Sequence, residues 1–362
     1  MVVSEAMGCN GMLARKTLIS AGLGLCRATG LHRLAGGALR GRGAILTFHR
    51  VRPAENRLFA PNAQLEITPE FLDRVLTRLH ANGFEIVSLN EAAARLIEDD
   101  RLRAPFAALT FDDGFRDVVV HGLPVLERHE APFTCYVAPA YADRTARLWW
   151  VELEEAVRRL DRIELDFDGA RLSLPARSDA EKCAAFARLY RLWRRGGNER
   201  LLRQIARLRE HAGIDWRELV DELCLDWIEL LALAAHPLAT IGSHTLTHPR
   251  LALLAEADAL AEMAQGRDRL ELELGRPCRH FAYPYGDARS AGPREFDYAG
   301  RLGFATAVTT RPGMIFPDHA AHPRALPRLS VNGLWQDAAS FDALLSGAPF
   351  AFWNRGRRLD ID

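Results

Sequence analysis

Short apolar runs bounded by proline, glycine or charge alternate along the chain with longer stretches in which apolar residues recur every three or four positions. This rhythm predicts strands alternating with amphipathic helices. The first strand is Ala44 to Phe48, which ends in His49. Thr68-Pro69 then opens a helix, with threonine as cap and proline at the first helical position. Phe71, Leu72, Val75, Leu76 and Leu79 make one stripe on it, and Gly83 ends it. Phe84 to Val87 predicts a second strand and Ser88 to about Glu98 a second helix. Phe106-Ala107-Ala108-Leu109, apolar throughout and set between Pro105 and Gly114, predicts a strand buried on both faces, as in a parallel sheet. A helix over Val118 to Arg128 and a strand over Pro132 to Ala138 follow. Later strands are expected at Ala239 to Gly242, His280 to Tyr283, Phe304 to Thr309 and Leu326 to Val331, with helices over Ala255 to Leu274 and Arg294 to Leu302. Repeated strand-helix units of this kind imply an α/β fold.

From Tyr141 to Pro237 the rhythm breaks. A helix from Leu148-Trp149-Trp150 to Arg158 leads to two alternating runs, Ile163 to Phe167 and Arg171 to Leu174, joined through Asp168-Gly169. Alternation on both sides of Asp-Gly is a hairpin pattern. Arginine-rich helices are expected from Asp179 to about His211, and further helix from Trp216 to Ala235. The segment 141–237 therefore reads as an insertion. It is either a solvated helical cap or a basic, aromatic lid with Trp149 and Trp150 as stacking platforms for a long sugar chain, a lipid-linked glycan or a membrane surface. The expected division is a helical extension over 1–43, a barrel over 44–335 and a tail over 336–362.

A chain of 362 residues with 48% hydrophobic residues suffices for one α/β barrel with insertions. The formal net charge is zero and the pI about 7.2, which gives no general attraction to nucleic acid. Six cysteines without paired spacing suggest free thiols and a reducing compartment. Arg15-Lys16 precede a short apolar stretch from Thr17 to Cys26, interrupted by glycine and without a small-x-small cleavage site. That predicts an N-terminal helix and a cytoplasmic protein, peripheral to a membrane at most, with an export signal as the alternative. Oligomeric state has no sequence signature.

Chemistry concentrates where apolar runs stop. Asp112 and Asp113 end the Phe106 strand, at the edge where α/β sheets place ligands. Adjacent carboxylates repel unless a cation favours both charges, while Asp-Asp-Gly alone also reads as a turn. After the Ala239 run come Ser243, His244, Thr245, Leu246, Thr247 and His248. Histidines four apart are expected to share one face of a helical turn. Two imidazoles and a carboxylate make a three-ligand metal site with a position left for water.

Thr110-Phe111-Asp112-Asp113-Gly114, then Ser243 to His248, then Phe281-Ala282-Tyr283-Pro284-Tyr285-Gly286 resemble, in that order, the NodB-homology polysaccharide deacetylases, carbohydrate esterase family 4. The resemblance spans about Ala44 to Val331. It implies a distorted (β/α) barrel, a divalent metal ion (most commonly Zn2+), and hydrolytic removal of acetyl groups from an N-acetylated glycan. Carried over by position, Asp112 is the catalytic base, Asp113, His244 and His248 are the metal ligands, and the backbone N–H of Tyr285 faces the oxyanion. Two departures stand out. The usual arginine of the third motif is replaced by Ala282, and the usual C-terminal leucine-x-histidine motif is missing. The pattern is similar to the branch acting on poly-N-acetylglucosamine, in which an early strand ends in the acid, here His49. Arg328, on the last strand, is the candidate substitute for the missing arginine. An O-acetyl esterase or a catalytically weak glycan-binding protein would share this site.

Overall fold

A computed structural model describes residues 39–98, 103–167, 169–194 and 196–362. The helical extension expected over 1–43 falls, up to residue 38, outside them. The chain enters on β1 (Gly43–Phe48), and two short strands, β2 (Arg50–Val51) and β3 (Glu66–Ile67), pair apart from the main sheet. Next come β4 (Glu85–Val87), β5 (Phe106–Phe111) and β6 (Phe133–Val137), then a separate antiparallel hairpin of β7 (Arg162–Phe167) and β8 (Ala170–Pro175). The rest are β9 (Ala239–Ser243), β10 (His280–Ala282), β11 (Thr306–Pro312) and β12 (Leu326–Ser330).

In the main sheet the order is β1-β12-β11-β10-β9-β6-β5, all parallel, and β5 pairs again with β1. Seven parallel strands thus close a barrel ringed by helices, with β4 on the lower half of β5 beside β6. Alternation assigns the two faces of each strand. Ile45, Ala108, Tyr136, Ala282, Val308 and Leu326 fill the barrel. Leu46, Phe48, Leu109 and Phe111 point outward into the layer beneath the helices.

The helix Pro69–Ala81 shows why that layer holds. Thr68 Oγ1 accepts from the Phe71 N–H at 3.1 Å and closes the first turn. The predicted stripe, Phe71, Leu72, Val75, Leu76 and Leu79, is at most 1% exposed. Each such side chain contributes about 1.5–3 kcal/mol by leaving water. Helix Leu89–Ile97 is capped by Ser88 in the same way.

The helices expected from Asp179 are Asp179–Arg194 and Asn198–Ala212, separated at Gly196-Gly197, and the further helix from Trp216 divides into Trp216–Leu223 and Trp227–Ala235, the second opened by an Asp226 capping box. Two details depart from the sequence pattern. The stretch after residue 335 holds helices Ala338–Leu345 and Ala348–Trp353, whose Phe341, Leu344, Leu345 and Phe350 are buried. Arg78 donates from Nε to Asp342 Oδ1 at 2.9 Å, which ties the first of these helices to Pro69–Ala81. Finally, Cys135, Cys224 and Cys278 are free and buried, but Cys183 is disulfide-bonded. The expectation of free thiols throughout is therefore corrected at Cys183, where spacing gave no hint because a disulfide depends on proximity in the fold. No helix of the described residues is long and apolar enough to cross a membrane.

Candidate active site

Parallel register delivers the expected residues to one end of the barrel. Phe48 pairs with Phe111, so His49 and Asp112 leave adjacent strands at the same level, and the Asp112 N–H donates to Phe48 O at 3.0 Å. Val137 pairs with Ser243, and the His244 N–H donates to Val137 O at 2.9 Å. Asp112, Asp113, His49, His244, His248 and Tyr285 all line one pocket.

The pocket is built on strained backbone. Among the described residues seven non-glycine residues have positive φ, and four of them are Asp113 (75°), Thr245 (64°), His248 (63°) and Tyr285 (61°). Left-handed conformations cost side-chain-bearing residues of order 1–3 kcal/mol each and persist only where the surroundings enforce them. The helical turn expected for His244 and His248 is not present; Thr245 and His248 are left-handed, and the segment is a loop. The rings nevertheless meet, with centroids 4.7 Å apart. Four-residue spacing named the right pair for the wrong geometrical reason.

Helix Glu256–Leu274 holds this loop. Glu262 Oε2 accepts from the N–H groups of Leu246 (3.1 Å) and Thr247 (2.9 Å), and its Oε1 accepts from Thr247 Oγ1 at 2.6 Å. Gly266 lets the helix approach so closely that a Cβ there would stand 2.4 Å from the Thr245 carbonyl carbon. Gly→Ala within a helix ordinarily stabilises by about 1 kcal/mol. Here overpacking against backbone, about 1–3 kcal/mol, outweighs that gain. Gly266→Ala should therefore melt below the parent and bind metal more weakly, since its strain falls between the two histidines. Thermal melts with metal titration check this, and a variant melting above the parent would refute the packing argument.

Asp112 and Asp113 are both buried, yet their surroundings differ. Arg328 grips Asp112 with a two-pronged contact, Nη1 to Oδ1 at 2.7 Å and Nη2 to Oδ2 at 2.6 Å. Its Nε donates to Thr309 O at 2.7 Å and Nη1 also reaches Thr110 Oγ1 at 3.1 Å. Burial pushes the Asp112 carboxyl up, but the charge and hydrogen bonds of Arg328 overcome it and hold Asp112 well below the usual carboxylate range. Burial likewise opposes ionisation of Asp113, and His244 and His248 bring it below its ordinary value.

Asp113, His244 and His248 offer ligand atoms that all lie within 4.8 Å of one another, all three residues being buried. Asp113 Oδ1 stands 3.5 Å from His244 Nε2 and 3.3 Å from His248 Nε2, and no hydrogen bond satisfies it. A buried carboxylate oxygen left without a partner is costly. A divalent cation between the three atoms removes that cost. The edge of a tetrahedron with ligand bonds of about 2.0–2.1 Å is about 3.3 Å, the spacing zinc-type sites require. Tautomer agrees: His244 Nδ1 lies 2.7 Å from Ala282 O, a carbonyl that can only accept, so the proton sits on Nδ1 and Nε2 offers its lone pair. For His248, burial pushes the imidazole down to about 3, which keeps it neutral and able to ligate. This buried Asp/His/His group can bind a metal ion.

The insertion supplies the facing wall, which sequence reasoning treated as either cap or lid. Trp149 and Trp150 are only 4% and 6% exposed, so they are pocket walls and not external platforms. Trp150 packs 5.3 Å from the His248 ring, and Trp149 Nε1 donates to Tyr285 Oη at 2.8 Å. Tyr190 and Arg194 join them, as does Gln64 from the segment between β2 and β3. None of Glu262, Gly266, Tyr190, Arg194 or Gln64 carries a sequence signal beyond ordinary helix or loop composition.

The family model described as polysaccharide deacetylase matches residues 99–165 and 212–305. The chain carries a polysaccharide deacetylase domain. It is an enzyme domain of that kind, and the interval between the matched segments falls inside the insertion. Solved structures show the same fold. The chain is similar to the Streptococcus pyogenes deacetylase PplD (17% identity, 80% of this chain and 92% of that one, TM-score 0.53) and to IcaB from Ammonifex degensii (20%, 85% and 98%, 0.52). A de-N-acetylase from Aggregatibacter actinomycetemcomitans is similar at 15% identity, over 80% of this chain and 95% of that chain, with a TM-score of 0.51. No curated protein matches the sequence significantly.

Proposed function

We propose that the deacetylase domain is a metal-dependent hydrolase that removes N-acetyl groups from an amino-sugar polysaccharide or lipid-linked oligosaccharide. One observation carries the metal dependence: the buried, unpartnered Asp113 Oδ1 faces two imidazole nitrogens at 3.3 and 3.5 Å. Asp113, His244 and His248 would hold the ion, with zinc the best fit to this donor set. When bound, such an ion lowers the pKa of water and polarises the acetyl carbonyl.

The rest of the work falls to side chains of this chain. Asp112, kept ionised by Arg328, accepts the proton of the attacking water; each of its oxygens spends one lone pair on Arg328 and keeps one free. The backbone N–H of Tyr285 donates to the oxyanion from a turn fixed by the hydrogen bond of Thr310 Oγ1 to Tyr285 O. His49, protonated, gives its proton to the departing amine nitrogen. Trp149, Trp150 and Tyr190 supply aromatic faces for a pyranose ring, and Gln64 a buried amide for its hydroxyl groups. The similarity to a de-N-acetylase supports an N-acetylated substrate.

The test is acetate release from N-acetylglucosamine oligomers by metal-loaded protein. A metal-loaded protein that releases no acetate from amides or esters would instead be a glycan-binding relative. His49→Ala separates amide from ester chemistry. An amine is the poorer leaving group, so the variant should lose about 10²-fold or more on an N-acetyl substrate and clearly less on an O-acetyl ester. Equal losses on both would place His49 in positioning and not in proton donation.

A further inference from the structure

Besides the packing of Trp150 on His248, three contacts join the insertion to the catalytic face. Leu225 N–H donates to Gly114 O at 3.0 Å, next to Asp113, and Trp149 Nε1 holds Tyr285 Oη at 2.8 Å. The third contact is the densest. Arg194, the last residue of helix Asp179–Arg194, lies with its guanidinium carbon 4.6 Å from the centre of the Tyr285 ring. Its Nη2 donates to Asp287 Oδ2 at 3.1 Å, and Asp287 Oδ1 in turn accepts from Arg289 N–H and Ser290 Oγ, both at 2.9 Å. Its carbonyl accepts from Arg250 Nη1 at 2.6 Å. Arg250 stands two residues after His248 and also reaches Arg289 O at 3.0 Å and Ser290 Oγ at 3.3 Å.

We propose that Arg194 is a positioning residue of the active site, fastening the turn from Tyr285 to Ser290 and the loop after His248 to one another. The inference rests on the deacetylase reading given above for Tyr285. Tyrosine at a φ of 61° relaxes unless its surroundings forbid it, and Arg194 covers one face of its ring while Trp149 holds the hydroxyl. The Arg194–Asp287 pair is screened from water, with side-chain exposures of 10% and 2%, so it retains strength that a surface pair loses. Residue 194 also falls between the segments matched by the family model, which end at 165 and resume at 212. An element outside the matched domain thus sets the geometry of the domain's own chemistry. Misplacing a reacting group by about 1 Å costs about 10² in rate, and that is the scale expected here.

The test uses full-length, metal-loaded Arg194→Ala, Arg194→Lys and Trp149→Phe. Arg194→Ala should lose about 10- to 100-fold in kcat with KM within about twofold and metal affinity unchanged, and Arg194→Lys should recover part of the loss. Combined with Trp149→Phe, the loss should be smaller than the product of the single losses, because both act through Tyr285. Amide hydrogen exchange over 283–291 should quicken in Arg194→Ala while β1 and β5 stay protected. A change confined to KM would make Arg194 a direct substrate contact and overturn the proposal, as would unchanged exchange over 283–291. If the parent releases no acetate while exchange still quickens, the deacetylase reading fails and the positioning of Tyr285 stands.

Discussion

Asp113→Ala should abolish metal binding and acetate release together while leaving the barrel folded. The side chain contributes the single anionic donor of the Asp113, His244, His248 group, and two neutral imidazoles alone hold a divalent ion far less tightly. Metal in such sites contributes several kcal/mol of transition-state stabilisation, so the loss should be about 10³-fold or more, equivalent to about 4 kcal/mol. The fold should tolerate the change because Asp113 Oδ1 has no hydrogen-bond partner to leave stranded. Elemental analysis, calorimetric melts and acetate assays on the same preparation decide the matter. A parent that keeps full turnover after exhaustive chelation would defeat the metal mechanism.

Most of the barrel was legible in the sequence because its signals are local. The Phe71 to Leu79 stripe, the Thr68 cap and the apolar runs at Ala44, Phe106 and Ala239 each report on residues a few positions apart, and the structure places the elements within a residue or two of those boundaries. Family motifs, likewise, are contiguous strings. What the sequence could not convey depends on distant residues meeting. Glu262 holds a loop sixteen residues upstream, and Arg194 reaches Asp287 across 93 residues. Cys183 enters a disulfide, and the His244–His248 loop takes left-handed turns that its spacing mimics as helix. Arg328 lies between these cases: alternation along β12 puts it inside the barrel, but only closure of β12 against β1, and of β1 against β5, brings it 216 residues to Asp112.

That closure makes the Arg328–Asp112 pair the second large test. Both side chains are buried, at 0% and 3% exposure, so Arg328→Met leaves a carboxylate in the barrel without its cation. Breaking a buried pair in this way costs about 3–5 kcal/mol. The carboxyl also changes its response to pH. In the parent, burial raises its pKa and Arg328 more than reverses that, so the folded value lies below the unfolded one. The pair therefore contributes stability above the unfolded pKa of about 3.9, and this is lost as pH falls through the folded value. Without Arg328, burial, the largest influence, outweighs the weaker pull of His244 and His49, the folded pKa lies above the unfolded one, and the sign inverts. Arg328→Met should be weakest near neutral pH and regain stability on acidification, while the acid limb of its acetate-release profile moves to higher pH because the base protonates sooner. Arg328→Lys, which keeps the charge but not the fork, should fall between the two and guards against failure of the methionine variant to fold. Adding Asp112→Asn to Arg328→Met should restore much of the lost stability and none of the activity. Denaturant melts from pH 4 to pH 8 with parallel rate profiles read all of this. A methionine variant with parental stability and an unmoved acid limb would show that Arg328 neither supports the fold nor keeps Asp112 ionised.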